Sequence, residues 1–227
     1  SAPRLTCLAW PSAITPLLEP RIPWIQLTHL YVESTFHFSK SLDTIRSLPE
    51  LEEYTVANDM ELSDDPRLPF KPAIVHPKLR KLHVTALQDP GPFLNSLTLP
   101  ALTDFCVDPD HDYAYDRRTI VARSFHEELF NFFTRSQCQL TKLFLRDCGF
   151  NAQNFLRCLE HPSCETITEL VVENVYNQPM FTDHIFERLT DIPDNGGKLL
   201  CPNLSRLQLE MCLAASPGAL GRMVLSR

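Results

Sequence analysis

His76–Val84, HPKLRKLHV, carries the phrase Leu79-x-x-Leu82-x-Val84, entered through Pro77 and with basic residues between the apolar ones. Side chains of an extended segment alternate between two faces, so Leu82 and Val84 point one way while Lys81, His83 and Thr85 point the other. The same phrase recurs at Leu5-x-x-Leu8-x-Trp10, Leu27-x-x-Leu30-x-Val32, Leu51-x-x-Tyr54-x-Val56 and Leu102-x-x-Phe105-x-Val107. It returns again at Leu140-x-x-Leu143-x-Leu145, Ile167-x-x-Leu170-x-Val172 and Leu204-x-x-Leu207-x-Leu209. Successive first positions lie 22, 24, 28, 23, 38, 27 and 37 residues apart, mostly in or near the leucine-rich-repeat range of about 20–29. Pro3, Pro49, Pro77, Pro100 and Pro202 each stand just ahead of a phrase, where a residue without an N–H can lead into a strand.

Helical spacing fills the intervals. Ser39–Leu48 places Leu42, Ile45 and Leu48 on one face with Ser39 as N-cap, and Thr119–Arg135 spaces Val121, Phe125, Leu129 and Phe133 by four. Asn151–Glu160 sets Phe155, Leu156 and Leu159 together behind Asn151 as cap, and Thr182–Thr190 does so with Ile185, Phe186 and Leu189. Ser216-Pro217 opens a last helix with Leu220, Met223 and Val224 expected inward. The segments 57–71, 108–118 and 191–198 are rich in Asp, Pro, Asn and Gly and read as loops. Strand and helix in repeated alternation predict an α/β leucine-rich-repeat solenoid, a curved parallel sheet backed by helices, of about eight irregular repeats over 1–227.

The bulk numbers are those of an ordinary globular chain: 227 residues, 44% hydrophobic and 22% charged. A formal net charge of −7 argues against a nucleic-acid surface. No apolar run reaches the length of a membrane span. The eight cysteines form no Cys-x-x-Cys pair, and a chain with a full core does not require disulfides. Reduced thiols and a cytoplasmic or nuclear location are expected.

Chemistry-bearing patterns are sparse, and neither an enzyme, a metal site nor a cofactor is expected. Cys148 and Cys212 each follow the last Leu of a phrase by three residues, where a small polar side chain satisfies backbone as the chain turns away; Asp59 and Asp110 hold the same place in other units. His29, His76 and His83 lie in strand phrases without a neighbouring ligand at metal spacing. The cluster Asp108, Asp110, His111 and Asp112 lacks the frame of a calcium loop. Glycine-rich phosphate loops and Gly-x-Ser-x-Gly are absent from the sequence. A Cys–His pair need only meet in space, and Cys106 with His83 is the first candidate.

What remains is surface. The outward positions are His29, Tyr31 and Glu33; Glu53 and Thr55; Lys81, His83 and Thr85; Asp104, Cys106 and Asp108; Lys142, Phe144 and Arg146; Glu169, Val171 and Glu173; Arg206, Gln208 and Glu210. Their charge alternates from unit to unit, which either stabilises the ladder itself or forms a concave face that binds a protein. On the binding reading the contact residues are Tyr31, Glu53, Lys81, His83, Asp104, Lys142, Phe144, Arg146, Glu169, Arg206 and Gln208, with Tyr31 and Phe144 as exposed aromatic anchors.

PKLRKLHV (77–84), LPALTDFCV (99–107), CQLTKLFLRDCGF (138–150) and CPNLSRLQLEMC (201–212) resemble the leucine-rich-repeat region of F-box proteins from mushroom-forming fungi. The resemblance covers nearly the whole chain. It implies a receptor without catalytic residues that holds the protein substrate of a cullin-based ubiquitin ligase. The F-box, a helical motif of Leu-Pro-x-Glu-Leu type that docks on the ligase adaptor, is not in this sequence. With no initiator Met and a first phrase already at Leu5, the chain is expected to be a piece of a longer protein, uncapped and adhesive at its N-terminus.

Overall fold

The structure, a computed structural model, describes residues 5–10, 24–33, 38–58, 73–86, 90–108, 125–174, 180–190 and 199–227. Eight strands form one sheet: β1 (Cys7–Trp10), β2 (His29–Glu33), β3 (Glu53–Asn58), β5 (Lys81–Ala86), β7 (Asp104–Val107), β8 (Lys142–Arg146), β9 (Glu169–Glu173) and β10 (Arg206–Glu210). They lie side by side in chain order, and every pairing is parallel. Each strand is one of the eight phrases, and Leu30↔Tyr54↔Leu82↔Phe105↔Leu143↔Leu170↔Leu207 share one register line. Two further short strands, β4 (Ile74–Val75) and β6 (Leu97–Thr98), pair apart from the main sheet.

The strands start two residues after the first Leu of each phrase, because the first Leu sits in the turn that leads in. Leu27, Leu51, Leu79, Leu102, Leu140 and Ile167 are all buried there. A hydrogen-bonding pattern explains why the register repeats so regularly. The carbonyl oxygen of the residue before each strand accepts two N–H groups from the next entry: Thr103 from Thr141 and Lys142, Thr141 from Thr168 and Glu169, Thr168 from Ser205 and Arg206. The side chain at that position joins in. The hydroxyls of Thr28, Thr103, Thr141, Thr168 and Ser205 donate to the same carbonyl of the preceding strand at 3.1–3.2 Å.

Helices α1 (Phe38–Ser47), α2 (Gly91–Asn95), α3 (His126–Ser136), α4 (Ala152–Leu159), α5 (Asp183–Leu189) and α6 (Pro217–Ser226) cover the inward residues. Phe105 of β7 meets Phe132 and Phe133 of α3, with ring centroids 5.7 and 6.2 Å apart. Phe38 of α1 stacks on Phe93 of α2 at 5.1 Å. Leu82, Val84, Phe105, Leu143 and Leu170 are 1% exposed or less. A fully buried side chain of this size contributes about 1.5–3 kcal/mol relative to exposure. The molecule is thus mixed α/β: an eight-stranded parallel sheet with helices over one face.

Several helix expectations need correction. Ser39 lies inside α1, whose first residue is Phe38, and so does not cap it. The expected helix 119–135 starts at His126; Phe125 is its N-cap and is buried with Leu129 and Phe133, while Val121 lies outside the described residues. The inward face of α6 is set by Ala219 and Met223, leaving Leu220 39% and Val224 61% exposed. The packing neighbour of α6 among the helices is α5, which covers a narrower stripe than the apolar spacing offers. Asn151 caps α4 as expected, its Oδ1 accepting the N–H of Asn154 at 2.8 Å.

Of the segments read as loops, Ala57 and Asn58 extend β3 and Asp108 follows β7, while 59–71, 109–118 and 191–198 lie outside the described residues. Two elements that no phrase announced, helix α2 and strand β6, sit between the fourth and fifth units, and β4, which pairs with β6, sits between the third and fourth. Arg135 of α3 ties them in, donating to the carbonyl oxygens of Leu94 and Leu97 at 2.9 and 3.3 Å.

Candidate functional site

The sheet face opposite the helices presents the outward residues in rows across the strands, neighbours standing about 4.8 Å apart. The first row runs His29↔Glu53↔Lys81↔Asp104↔Lys142↔Glu169↔Arg206. Its alternating signs are paired within the row. Glu53 meets His29 at 3.4 Å and Lys81 at 2.5 Å, and Glu169 meets Lys142 at 3.1 Å and Arg206 at 3.0 Å. The hydrogen bond that Lys81 donates to Glu53, with the charges of Glu53 and Asp104 nearby, holds its ammonium above the ordinary pKa. Asp104 stands between two lysines that each turn to another carboxylate, and its Oδ1 is buried without a hydrogen-bond partner among the described residues.

The second row is Tyr31↔Thr55↔His83↔Cys106↔Phe144↔Val171↔Gln208. Together the two rows enclose a depression of about 290 Å³ whose lining includes Glu53, Lys81, His83, Asp104, Cys106, Lys142, Phe144, Glu169 and Val171. Seven of the eleven expected contact residues therefore meet at one place. Tyr31, Arg146, Arg206 and Gln208 lie outside it. Tyr31 is exposed (42%), as expected of an anchor, but stands on β2 away from the depression. Phe144 lines the depression and is half-buried, with the Arg146 guanidinium 5.6 Å from its ring centroid. Val171, expected outward, is 8% exposed between Phe144 and Gln208.

Arg146 is the strongest electrostatic feature of the face. Its Nη1 lies 2.8 Å from Asp108 Oδ1, and its Nε and Nη2 reach Glu173 Oε2 at 2.7 and 2.6 Å. Burial works against the charged guanidinium, but the hydrogen bonds and charges of Glu173 and Asp108 outweigh it and raise its pKa. Burial likewise raises the Asp108 carboxyl despite the nearby Arg146. The side chain of Glu33 lies outside the described residues.

The register brings Cys106 directly beside His83 on adjacent strands, so the candidate Cys–His pair does meet. The environment opposes its use as a nucleophile. Burial, then the Asp108 carboxylate, pushes the Cys106 thiol far above its ordinary range, and burial lowers the His83 pKa. A nucleophilic cysteine needs the reverse, a stabilised thiolate.

The remaining sequence candidates fall into structural roles. His76 is buried; its Nδ1 accepts the N–H of Leu79 at 3.1 Å and its Nε2 lies 2.9 Å from the Leu48 carbonyl oxygen. Cys148 and Cys212 donate to the carbonyl oxygens of Arg146 and Val172 at 3.2 and 3.6 Å. Each follows a residue with positive φ, Asp147 (44°) and Met211 (53°), where the chain turns off its strand. Asp59, Asp110, His111 and Asp112 lie outside the described residues. All eight cysteines are free thiols. Among the described residues no group of three or more His, Cys, Asp or Glu is placed to hold a metal, and no helix is long and apolar enough to cross a membrane.

The threonine rungs are what sequence reading missed. The signal is present: the residue after the first apolar position is Thr or Ser at Thr6, Thr28, Thr103, Thr141, Thr168 and Ser205.

No family model matches the chain, and no curated protein matches it. Among solved structures it is similar to the crystal structure of a Bacteroides fragilis protein from a structural genomics programme, at 15% identity and a TM-score of 0.49. The match covers 89% of this chain and 55% of that one, so the chain spans about half the length of that protein.

Proposed function

We propose that the chain is a leucine-rich-repeat solenoid whose open sheet face binds a protein, serving as the substrate-recognition part of an F-box subunit of a cullin-RING ubiquitin ligase. The observation that carries the binding reading is the depression at the centre of the face. It gathers Lys81, His83, Asp104, Lys142 and Phe144 from three strands, an aromatic of the kind enriched at interfaces ringed by charges that give a partner electrostatic complementarity. The solenoid reading is supported by the match of eight phrases to eight strands in chain order. The role is binding without catalysis, which agrees with a Cys106 thiol held protonated. The ligase role rests on the resemblance of the phrases to fungal F-box receptors, and the adaptor would be engaged through an F-box outside this chain.

Affinity capture with the 227-residue chain, compared with Lys142→Glu and Phe144→Ala variants, tests the face. Partners lost from both variants, with unchanged circular dichroism, support it; partners retained by both sink it. The sequence encoded upstream of Ser1 tests the ligase role. An F-box there, with adaptor and cullin co-purifying on the longer chain, supports it. Stable partners without an adaptor would leave a leucine-rich-repeat scaffold or inhibitor unrelated to ubiquitin.

A further inference from the structure

We propose that the depression takes a basic side chain, Lys or Arg, presented by a partner protein, with its cation against Asp104 and its stem over Phe144. The inference rests on the reading that the open face binds a protein, and it names the chemistry of the partner residue that enters.

The depression lies in the middle of the sheet, on β3, β5, β7, β8 and β9. Each of these strands is paired on both sides, and the residues that lead into them are among the described ones. The first row explains why a depression forms here. Asp104 of β7 stands in register between Lys81 and Lys142. The two lysines turn away from it in opposite directions, Lys81 to Glu53 on β3 and Lys142 to Glu169 on β9. Their parting leaves room above β7.

Charge selects the occupant. The lining holds three carboxylates, Glu53, Asp104 and Glu169, against two ammonium groups, Lys81 and Lys142, so one negative charge is in excess. His83 adds no charge near neutrality, because burial lowers its pKa. The excess falls on Asp104. Glu53 is paired with His29 and Lys81, and Glu169 with Lys142 and Arg206, whereas Asp104 forms no ion pair among the described residues. Its Oδ2 accepts the Thr103 hydroxyl at 3.4 Å, and its Oδ1 accepts no described donor. A carboxylate partly withdrawn from water and lacking a cation is stabilised by one that a partner brings. An acidic guest would instead face this carboxylate and have to draw a lysine off Glu53 or Glu169. The second row supplies the apolar half of the fit. Phe144 and Val171 line the same depression. A Lys or Arg stem packs along such a surface while its head reaches the charge, and an aromatic ring attracts the cation.

Random dodecapeptides displayed on phage and selected on the 227-residue chain test this, keeping the binders that lose affinity for Phe144→Ala. Each should carry a Lys or Arg whose replacement by Gln weakens binding at least about tenfold, and Asp104→Asn should weaken the parent peptide as much. Asn has the size of Asp and keeps an acceptor for Thr103, so the circular dichroism of Asp104→Asn should be unchanged. On Asp104→Asn the Gln peptide should lose little more, because both changes remove one interaction. Binding of the parent peptide should also weaken with added salt. Binders at the depression that carry an acidic residue or no charge, that bind Asp104→Asn unchanged, or whose two losses simply add would each overturn the inference and leave the protein-binding face standing. A selection with no binder sensitive to Phe144→Ala would overturn both.

Discussion

The Nε2 of His76 lies 2.9 Å from the carbonyl oxygen of Leu48, twenty-eight residues earlier, while its Nδ1 accepts the N–H of Leu79 at 3.1 Å. An acceptor at Nδ1 places the ring proton on Nε2, which then donates to Leu48. The ring thus joins the end of α1 to the entry of β5. His76→Ala should cost about 1–3 kcal/mol, because it strands a buried N–H, and His76→Phe should not recover it. Chemical denaturation of the three proteins measures this; a neutral His76→Ala would show that water replaces the ring.

Leu82 and His83 are adjacent but face opposite sides of β5. Leu82 is 1% exposed in the core, and Leu82→Ala should cost about 2–5 kcal/mol. His83→Ala removes a half-buried ring from the open face and should cost clearly less. Equal losses in denaturant midpoint would contradict the observed register.

The hydroxyl of Thr141 donates to the carbonyl oxygen of Thr103 at 3.2 Å. Thr141→Val keeps the shape and removes the donor, so a loss of about 0.5–1.5 kcal/mol is expected. Thr141→Ser should retain most of the stability. If Val and Ser behave alike, the rung contributes through packing rather than hydrogen bonding.

His161 is buried, its Nδ1 accepts the N–H of Ser163 at 3.1 Å, and burial lowers its pKa. The unfolded chain therefore takes up the proton first as pH falls. The stabilising contribution is full above the unfolded value near 6.5 and is lost as pH drops from there toward the depressed folded value. His83, also lowered by burial, acts with the same sign. Stability should decline below about pH 6.5, and His161→Asn, which keeps an acceptor without titrating, should flatten the decline. An unchanged slope in a pH series of denaturation curves would assign it elsewhere.

Arg146 and Lys142 lie on one strand but differ in their surroundings. Lys142 is 59% exposed beside Glu169, and Lys142→Ala should cost no more than about 1 kcal/mol. Arg146 is clasped by Asp108 and Glu173, whose side chains are 20% and 12% exposed, and Arg146→Ala leaves both without their cation. Its loss should exceed that of Lys142→Ala and should shrink in acid, where the Asp108 carboxyl, raised by burial, takes up a proton. Comparison of the two variants at neutral and acid pH checks both points.

Much of this was legible in the sequence. Leu-x-x-Leu-x-Val determines which residues face inward, because alternation is a local property of an extended chain, and so the eight strands and their outward side chains follow from spacing alone. Helix faces were legible where the apolar stripe meets a neighbour along its length, as in α4 and α5. They were not in α6, where only tertiary packing decides how much of the stripe is covered. The charged row was legible as an alternation; which charges pair was not, since Glu169 could turn to either of its neighbours and meets both.

Residues that meet far along the chain were beyond reach of local pattern. Arg146 lies over Phe144 and between Asp108 and Glu173, which are 38 and 27 residues away, a set of contacts that spacing alone did not announce. His83 and Cys106 come together through strand register, yet burial fixes the thiol in its protonated form. The sequence by itself determined the strands, their order of burial and the list of outward side chains, because each depends on near neighbours. Only the tertiary structure decided which outward groups pair, which are covered and where they enclose a depression, because those outcomes depend on side chains delivered by other strands.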